Sequence, residues 1–513
     1  MRASARHPGK RLSPARVLVG VLALTLTVGA AAGVPWYLAS EHSNAPAPAG
    51  PRWFGSYLDV TAVHGSAATA VDESVDATVL LSFIVAEDAG SCEPTWGAAY
   101  SLTDAGRELD LDRRIDRMRR DGAHVAVSFG GALNTELAGA CDTVPSLMSA
   151  YSAVLDRYRI STMDLDLEAR NLSDEVAGAR RAEAVARLQQ ARERAGDPLD
   201  VWVTLPVATD GLTAEGLAAV RLLVDGGVDL AGVNAMTMDY GTDLGGKSMA
   251  ETSISALTAV SDQLTRLYAE RRLSLPGGDA WSMLGATPMI GQNDVRDEVF
   301  TMRDARTLNA FAEEKQLARL SMWSLNRDRT CGPNYPDLTT VSDACSGVDQ
   351  GGATFAETLS AGFRGAPAAK SAAPEPPRSV SDDPETSPYP IWSAELGYST
   401  GVRVVWHGYV YAARWWVLGG PEPDDPTASA EQTSWVLVGP VMPDDEPFEL
   451  PTAAPGAHPQ WDPAAVYRKG SRVLYDGTPY EAKWWTQGDL PSDGVVDHDR
   501  SPWQVMEPPA AAN

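Results

Sequence analysis

Apolar residues recur across positions 53–364 in two alternating rhythms. Short runs rich in Val, Ile, Leu and aromatics read as strands at 54–60, 77–85, 124–129, 161–168, 201–206, 230–240, 283–290 and 319–325. Stretches with apolar positions three and four apart read as helices at 109–121, 144–157, 175–195, 214–225, 253–271 and 304–315. Strands alternating with helices build a parallel sheet, and this succession predicts an α/β fold closed as a (β/α)8 TIM barrel. A doubly wound open sheet is the alternative. No Gly-rich phosphate fingerprint follows the first strand, which weakens a nucleotide-binding version.

One strand carries chemistry in its pattern. Residues 161–168 read Ser-Thr-Met-Asp-Leu-Asp-Leu-Glu. Side chains alternate faces along a strand, so Asp164, Asp166 and Glu168 share one face and Met163, Leu165 and Leu167 the other. Such alternation ordinarily turns the polar set to water, but the strands of a parallel barrel are covered on both faces. Burying adjacent carboxylates is costly unless protons are shared and hydrogen bonds supplied. The strand is therefore a candidate catalytic site. Barrel chemistry collects at the C-terminal ends of strands. Glu168 ends the fourth strand, Asp239 and Tyr240 the sixth, and Trp323 lies near the end of the eighth. Met236 and Gln292 join them as weaker candidates.

After the barrel the pattern changes to short β-rich segments that repeat at an offset of 69 residues. Trp392 matches Trp461, Tyr398 matches Tyr467, Tyr411 matches Tyr480, and Trp415-Trp416 matches Trp484-Trp485. Units this short and this rich in Gly, Pro, Val and aromatics read as small all-β modules. The organisation expected is 1–40 export segment, 41–52 spacer, 53–364 barrel, 365–388 Pro/Ala-rich linker, 389–441 first module, 442–457 linker and 458–508 second module.

Composition narrows the function classes. The chain has 513 residues and a formal net charge of −26, which argues against nucleic-acid binding. It suits a neutral ligand. The N-terminus is basic and then apolar from Val17 to Ala39. Ala30-Ala31-Ala32 offers a signal-peptidase site, and the same run is long enough for an uncleaved anchor. Both readings put the body outside the membrane, and an extracellular monomer is expected. Four cysteines suit an oxidising compartment. The local pairing, Cys92–Cys141 and Cys331–Cys345, is preferred among three connectivities. No CxxC or His-rich spacing suggests a metal.

Crowded negative charge raises the pKa of one carboxyl, so Glu168 is expected to hold a proton near neutral pH and deliver it to a glycosidic oxygen. Asp166 is too near, on the same face, to position a water across a sugar ring. Asp164 lies about 13 Å from Glu168 along an extended strand. Its expected partner is Asp166, with which it would share a proton.

Here the sequence resembles family 18 glycoside hydrolases, the chitinase family. Their signature Asp-Gly-x-Asp-x-Asp-x-Glu is met by Asp164-Leu165-Asp166-Leu167-Glu168 and broken at Ser161 and Thr162. Ser128-Phe129-Gly130-Gly131 resembles the Ser-x-Gly-Gly of strand three, Met236-Thr237-Met238-Asp239-Tyr240 the Met/Tyr region of strand six, and Trp323 the tryptophan of strand eight. The resemblance covers about residues 53–363. It implies substrate-assisted retaining hydrolysis of β-1,4-linked N-acetylglucosamine polymers, without metal or organic cofactor. The acetamido oxygen would be the nucleophile, Glu168 the acid and base, Asp166 the orienting carboxylate, Tyr240 a donor to the acetamido oxygen and Trp323 the floor. The alternatives are a non-catalytic chitin-binding barrel and an endo-β-N-acetylglucosaminidase. The C-terminal units resemble carbohydrate-binding modules of family 5/12, the type 3 chitin-binding domain. That likeness rests on Ala482-Lys483-Trp484-Trp485-Thr486-Gln487-Gly488, Pro491 and Trp503; the first copy lacks the Thr-Gln-Gly. Trp415, Trp416, Trp461, Trp484, Trp485, Tyr480 and Trp503 are its candidate chitin-binding aromatics.

Overall fold

The computed structural model describes residues 50–62, 78–367, 382–429, 432–443 and 445–506. The export segment expected at 1–40 lies outside the described residues, as do most of the 41–52 spacer and the central part of the 365–388 linker. Among the described residues, no helix is long and apolar enough to cross a membrane.

Eight parallel strands close on themselves: β1 Trp53–Asp59, β2 Thr78–Ala86, β3 His124–Gly130, β4 Thr162–Asp166, β5 Asp200–Ala208, β6 Leu230–Met236, β7 Leu284–Thr287 and β8 Arg319–Met322. Each pairs with its neighbour in sequence, and β1 pairs with both β2 and β8. The closed (β/α)8 barrel replaces the open-sheet alternative. The outer helices are α1 Leu111–Arg120, α2 Val144–Arg157, α3 Glu175–Ala195, α4 Ala214–Asp225, α5 Met249–Arg271, α6 Met302–Lys315 and α7 Phe355–Ser360.

Three helices, α2, α3 and α4, have the bounds their periodicity predicts. α5 and α6 begin earlier than predicted because capping boxes outrank the apolar pattern there. The Ser248 side chain caps Glu251 N–H while Glu251 reaches back, and Thr301 and Asp304 do the same. β4 stops at Asp166, and Glu168 is the N-cap residue of a short helix, Ala169–Ser173, in extended conformation. β6 stops four residues short of its predicted end because Asp239 takes a left-handed backbone with φ 47°.

Strand alternation separates two layers. Phe54, Leu58, Val127, Phe129, Met163, Leu165, Leu167, Val203, Leu320 and Met322 point outward into the large core under the helices. Trp53, Tyr57, Leu80 and Trp202 point into the barrel, with Phe83 and Trp323 packed on them. The three carboxylates of 161–168 belong to this inner set. An unpredicted antiparallel hairpin, Pro94–Trp96 with Tyr100–Ser101, extends the sheet beside the end of β2.

Among the described residues the C-terminal region has a two-stranded antiparallel sheet, Gly397–Tyr398 with Val417–Leu418, and two three-stranded ones. The first has β9 Arg403–Trp406, β10 Tyr409–Ala413 and β11 Trp435–Pro440; the second has β12 Arg472–Tyr475, β13 Thr478–Ala482 and β14 Trp503–Val505. The sequence offset of 69 holds for both strand pairs, residue for residue. Each sheet packs one tyrosine edge-on to one tryptophan, Tyr398 to Trp435 and Tyr467 to Trp503, both at 5.1 Å.

Candidate active site

The inward side chains stack in levels. Deepest is Arg319, fully buried, with its guanidinium 4.8 Å from the Trp53 ring and 5.3 Å from the Trp202 ring. It reaches up to Asp164 Oδ1 at 2.8 Å and donates to the Tyr57 hydroxyl at 2.8 Å. Asp164 Oδ1 also accepts from Thr204 Oγ1 at 2.7 Å, while Oδ2 accepts from Ser128 Oγ at 2.7 Å and Tyr57 Oη at 2.9 Å. Four donors occupy both oxygens. Asp164 therefore does not share a proton with Asp166, as the sequence led us to expect; a cation and three hydroxyls stabilise it instead.

Asp166 turns the other way. Its Oδ1 is buried with no N–H or hydroxyl donor on it, and its carboxyl hydrogen-bonds to Glu168. Two carboxyls can hydrogen-bond only if one keeps a proton. Burial, then the charges of Glu168 and Asp164, push the Asp166 carboxyl well above the usual carboxylate range. Glu168 is half-buried and raised to about 7, first by burial and then by the charges of Asp239 and Asp294; the hydrogen bond from Asp166 opposes this. The three carboxyls thus rise from a charge-paired base, through a middle group whose burial favours its neutral form, to a half-buried group at the mouth.

The backbone holds the pair in place. A Cβ on Gly130 would lie 2.0 Å from the Asp166 carbonyl oxygen, and Gly131 N–H donates to that oxygen at 3.0 Å. The Gly-Gly at the end of β3 is thus a close approach of two strand ends. Behind it, buried Glu136 accepts from Arg181 at 2.8 and 2.9 Å and from the Tyr151 hydroxyl at 2.5 Å. Phe83 and Trp323 stack at 5.4 Å with planes 24° apart, and Tyr57 lies edge-on to Trp323 at 6.1 Å. These rings form an aromatic floor at the mouth.

The strand-six residues divide. Asp239 Oδ1 accepts from Val295 N–H at 3.0 Å, and its charge reaches Glu168. Met236 is half-buried at the strand end. The Tyr240 hydroxyl donates to Ser253 Oγ of α5 at 3.4 Å, and the charge it feels is that of Glu298. It faces the outer helix layer, not the carboxylate pair, because Glu298 captures the N–H groups of Tyr240 and Gly241 and turns the chain there. Gln292 is buried too. Its amide donates to the carbonyls of Asn293 and Arg296 at 3.0 and 2.9 Å, so it braces a loop.

Both preferred disulfides are present, Cys92–Cys141 and Cys331–Cys345. Each fastens loops that follow barrel strands, on the side of the mouth. In the modules, Trp484 and Trp485 are exposed, at 44% and 61%, and Trp415 at 43%. Trp416 and Trp461 are half-buried. Tyr480 and Trp503 are core residues of the second sheet, so their rings are not at its surface.

Tyr57, Phe83, Thr204 and Arg319 were missed by sequence reasoning. For Tyr57, Thr204 and Arg319 the signal was parity: Trp53-x-Gly55-x-Tyr57, Trp202-x-Thr204 and Arg319-x-Ser321-x-Trp323 repeat the period of Asp164-x-Asp166. Phe83 breaks that parity, because the register of β2 shifts between Leu81 and Ile84.

Known proteins resemble this chain. Over 311 residues, 59% of the chain, it is 33% identical to the probable bifunctional chitinase/lysozyme of Escherichia coli (strain K12), covering 34% of that protein. Over 305 residues it is 32% identical to endochitinase 11 of Metarhizium anisopliae, covering 56% of it. The chain thus spans between a third and somewhat over half the length of these curated relatives. The crystal structure of the catalytic domain of a hyperthermophilic chitinase from Pyrococcus furiosus superposes with a TM-score of 0.50 at 28% identity, over 61% of this chain and 95% of that one. The barrel is thus similar to chitinases in sequence and in fold. Residues 460–504 match carbohydrate-binding module family 5/12.

The point at which the barrel departs from the family 18 signature it resembles lies away from the mouth. Thr162 Oγ1 is 3.2 Å from His124 Nε2, and the Ser161 carbonyl accepts from Asp200 N–H at 2.9 Å. Both sit at the entry end of β4, opposite Glu168.

Proposed function

We propose that the chain hydrolyses β-1,4-linked N-acetylglucosamine polymers by a substrate-assisted, retaining mechanism. The observation that carries this reading is the buried Asp166 Oδ1, which meets no hydrogen-bond partner among the described residues and lies on the same face as half-buried Glu168. A sugar seated on the Phe83–Trp323 floor would bring its amide N–H to that oxygen. Its acetamido oxygen then attacks the anomeric carbon as the glycosidic C–O bond breaks. Glu168 gives its proton to the departing oxygen. In the second half the Glu168 carboxylate takes a proton from the water that opens the oxazolinium ring, restoring the acid. Proximity of the internal nucleophile supplies much of the rate. Asp164 and Arg319 act from below by holding the strand and leaving the proton to the upper pair.

The modules support a polymeric substrate: exposed Trp484 and Trp485 present flat apolar faces of the kind that stack on sugar rings. An extracellular site of action is part of this proposal, supported by the two disulfides. The test is product release from acetylated chitooligosaccharides by the native chain and by Glu168→Gln. The native chain should release shortened oligosaccharides, and the variant should lose at least a hundredfold in kcat. Equal release by both would overturn the role of Glu168. No release by either, with binding retained, would favour a chitin-binding barrel.

A further inference from the structure

The first module is joined to both of its neighbours. On the barrel side, α1 presents buried charges unlike those of an ordinary solvent-facing helix. Arg113 is 5% exposed and holds Asp445, in the linker just after the module, through two hydrogen bonds, at 2.8 and 3.0 Å, while also donating to the Pro440 carbonyl of the module. Asp110, just before the helix, is 2% exposed; it accepts from the Tyr389 hydroxyl at 2.8 Å and pairs with Arg403. Arg117 donates to the Leu437 carbonyl. The charges alternate across the contact, Asp110 and Arg113 from the barrel against Arg403 of the module and Asp445 just after it. A Cβ on Gly439 would lie 2.6 Å from the Arg113 carbonyl, so the sheet edge meets the helix backbone directly. Buried pairs of opposite sign specify one docking geometry, since any slip leaves a desolvated charge alone.

On the other side, the second module reaches into the first. Val496 is a core residue of the first sheet's cluster, packed with Tyr398 and Trp435. Ser399 N–H donates to the Val496 carbonyl at 2.9 Å, and Asp499 N–H to Ser399 Oγ at 2.9 Å. The Trp416 indole N–H donates to Asp497 Oδ1 at 3.0 Å, and the Arg500 guanidinium lies 3.2 Å from the Trp416 ring centre. Trp485, its counterpart in the second module, is 61% exposed.

We infer that the first module is a rigid docking adaptor: its α1-facing surface fits the barrel, its Trp416 surface fits the second module, and polysaccharide capture is left to Trp484 and Trp485. The fixed joint aims the capturing face relative to the barrel mouth, whereas a free tether would supply only effective concentration. The capture arm rests on the binding role proposed for the second module; the adaptor arm rests on the contacts alone.

Two measurements on the full chain test this. Small-angle X-ray scattering of the native protein should give one compact envelope. Asp445→Arg, which sets like charges against Arg113, should increase the radius of gyration while hydrolysis of a soluble chitooligosaccharide stays unchanged. Native scattering from independently moving bodies, or an unaltered envelope in Asp445→Arg, would overturn the adaptor. Retention on insoluble chitin should fall at least tenfold in a Trp484→Ala, Trp485→Ala double variant and remain within about twofold in Trp415→Ala, which removes the exposed ring of the first module. A loss in Trp415→Ala equal to the double variant's would return a binding role to the first module and overturn the division. Unchanged retention in both would remove the second module's binding role, and with it the capture arm, while scattering still decides the adaptor.

Discussion

Arg319 on β8 and Asp164 on β4 meet at 2.8 Å with both side chains fully buried, at the base of the candidate site. Tyr57 bridges them, and burial raises its hydroxyl well above the usual phenol range, keeping it a donor. Replacing Arg319 by Met should leave Asp164 without its counter-charge and lower stability by about 3–5 kcal/mol. Adding Asp164→Asn should recover much of that loss, because the two sites are coupled. Denaturant unfolding measures both. A single variant within about 1 kcal/mol of native stability would show that the pair does not secure the barrel interior.

Glu168 titrates at about 7 partly because Asp239 bears a charge near it. Asp239→Asn keeps an acceptor for Val295 N–H and removes that charge. The Glu168 pKa should fall. Since the proton donor must be protonated, the alkaline limb of kcat/KM should move to lower pH. A pH–rate profile reads this directly. An unmoved limb would mean that another group governs it.

Gly130 has no room for a side chain. Gly130→Ala would press a Cβ against the Asp166 carbonyl, at 2.0 Å before relaxation, on a backbone with φ 111°. Overpacking of this kind costs about 1–3 kcal/mol, and displacing Asp166 should reduce kcat by roughly a hundredfold. Gly122→Ala is the control: its φ is 93°, and nothing lies within 4 Å of the added carbon. It should cost stability with kcat unchanged. Equal kcat in the two variants would sink the role given to the Gly130 contact.

His124, at the entry end of β3, is lowered to about 4, first by burial and then by the charge of Arg119. The fold favours its neutral form, so the stability it contributes is complete above about 6.5 and is lost as the pH falls toward 4. The loss is at most about 3 kcal/mol. His124→Gln should flatten this part of the acid limb. Melting temperatures of both proteins between pH 7 and 4 check it, and parallel curves would exclude His124 as a source of acid sensitivity.

Much of this was legible along the chain because the signals were local. Asp164, Asp166 and Glu168 were assignable to one face from their spacing, and that face is the barrel interior. Val144–Arg157 and Glu175–Ala195 carry both periodicity and caps, so their bounds were readable. The 69-residue offset anticipated two like sheets. Tyr240 was misplaced for a reason also visible in the structure: a carboxylate 58 residues away, Glu298, turns its backbone.

What the sequence by itself determined is what alternation and spacing determine: strands, helices, the inward carboxylates, the paired cysteines and the repeat. What only the tertiary structure decided is which group each buried charge meets. Asp164 is satisfied by Arg319, 155 residues away, and not by its neighbour Asp166. Asp166 consequently turns to Glu168, and Trp416 turns to Asp497 and not to solvent. Periodicity specifies the face a side chain takes. Its partner on that face is set by closure of the barrel and docking of the modules, which bring distant residues into one desolvated space where each charge needs a counter-charge or a proton.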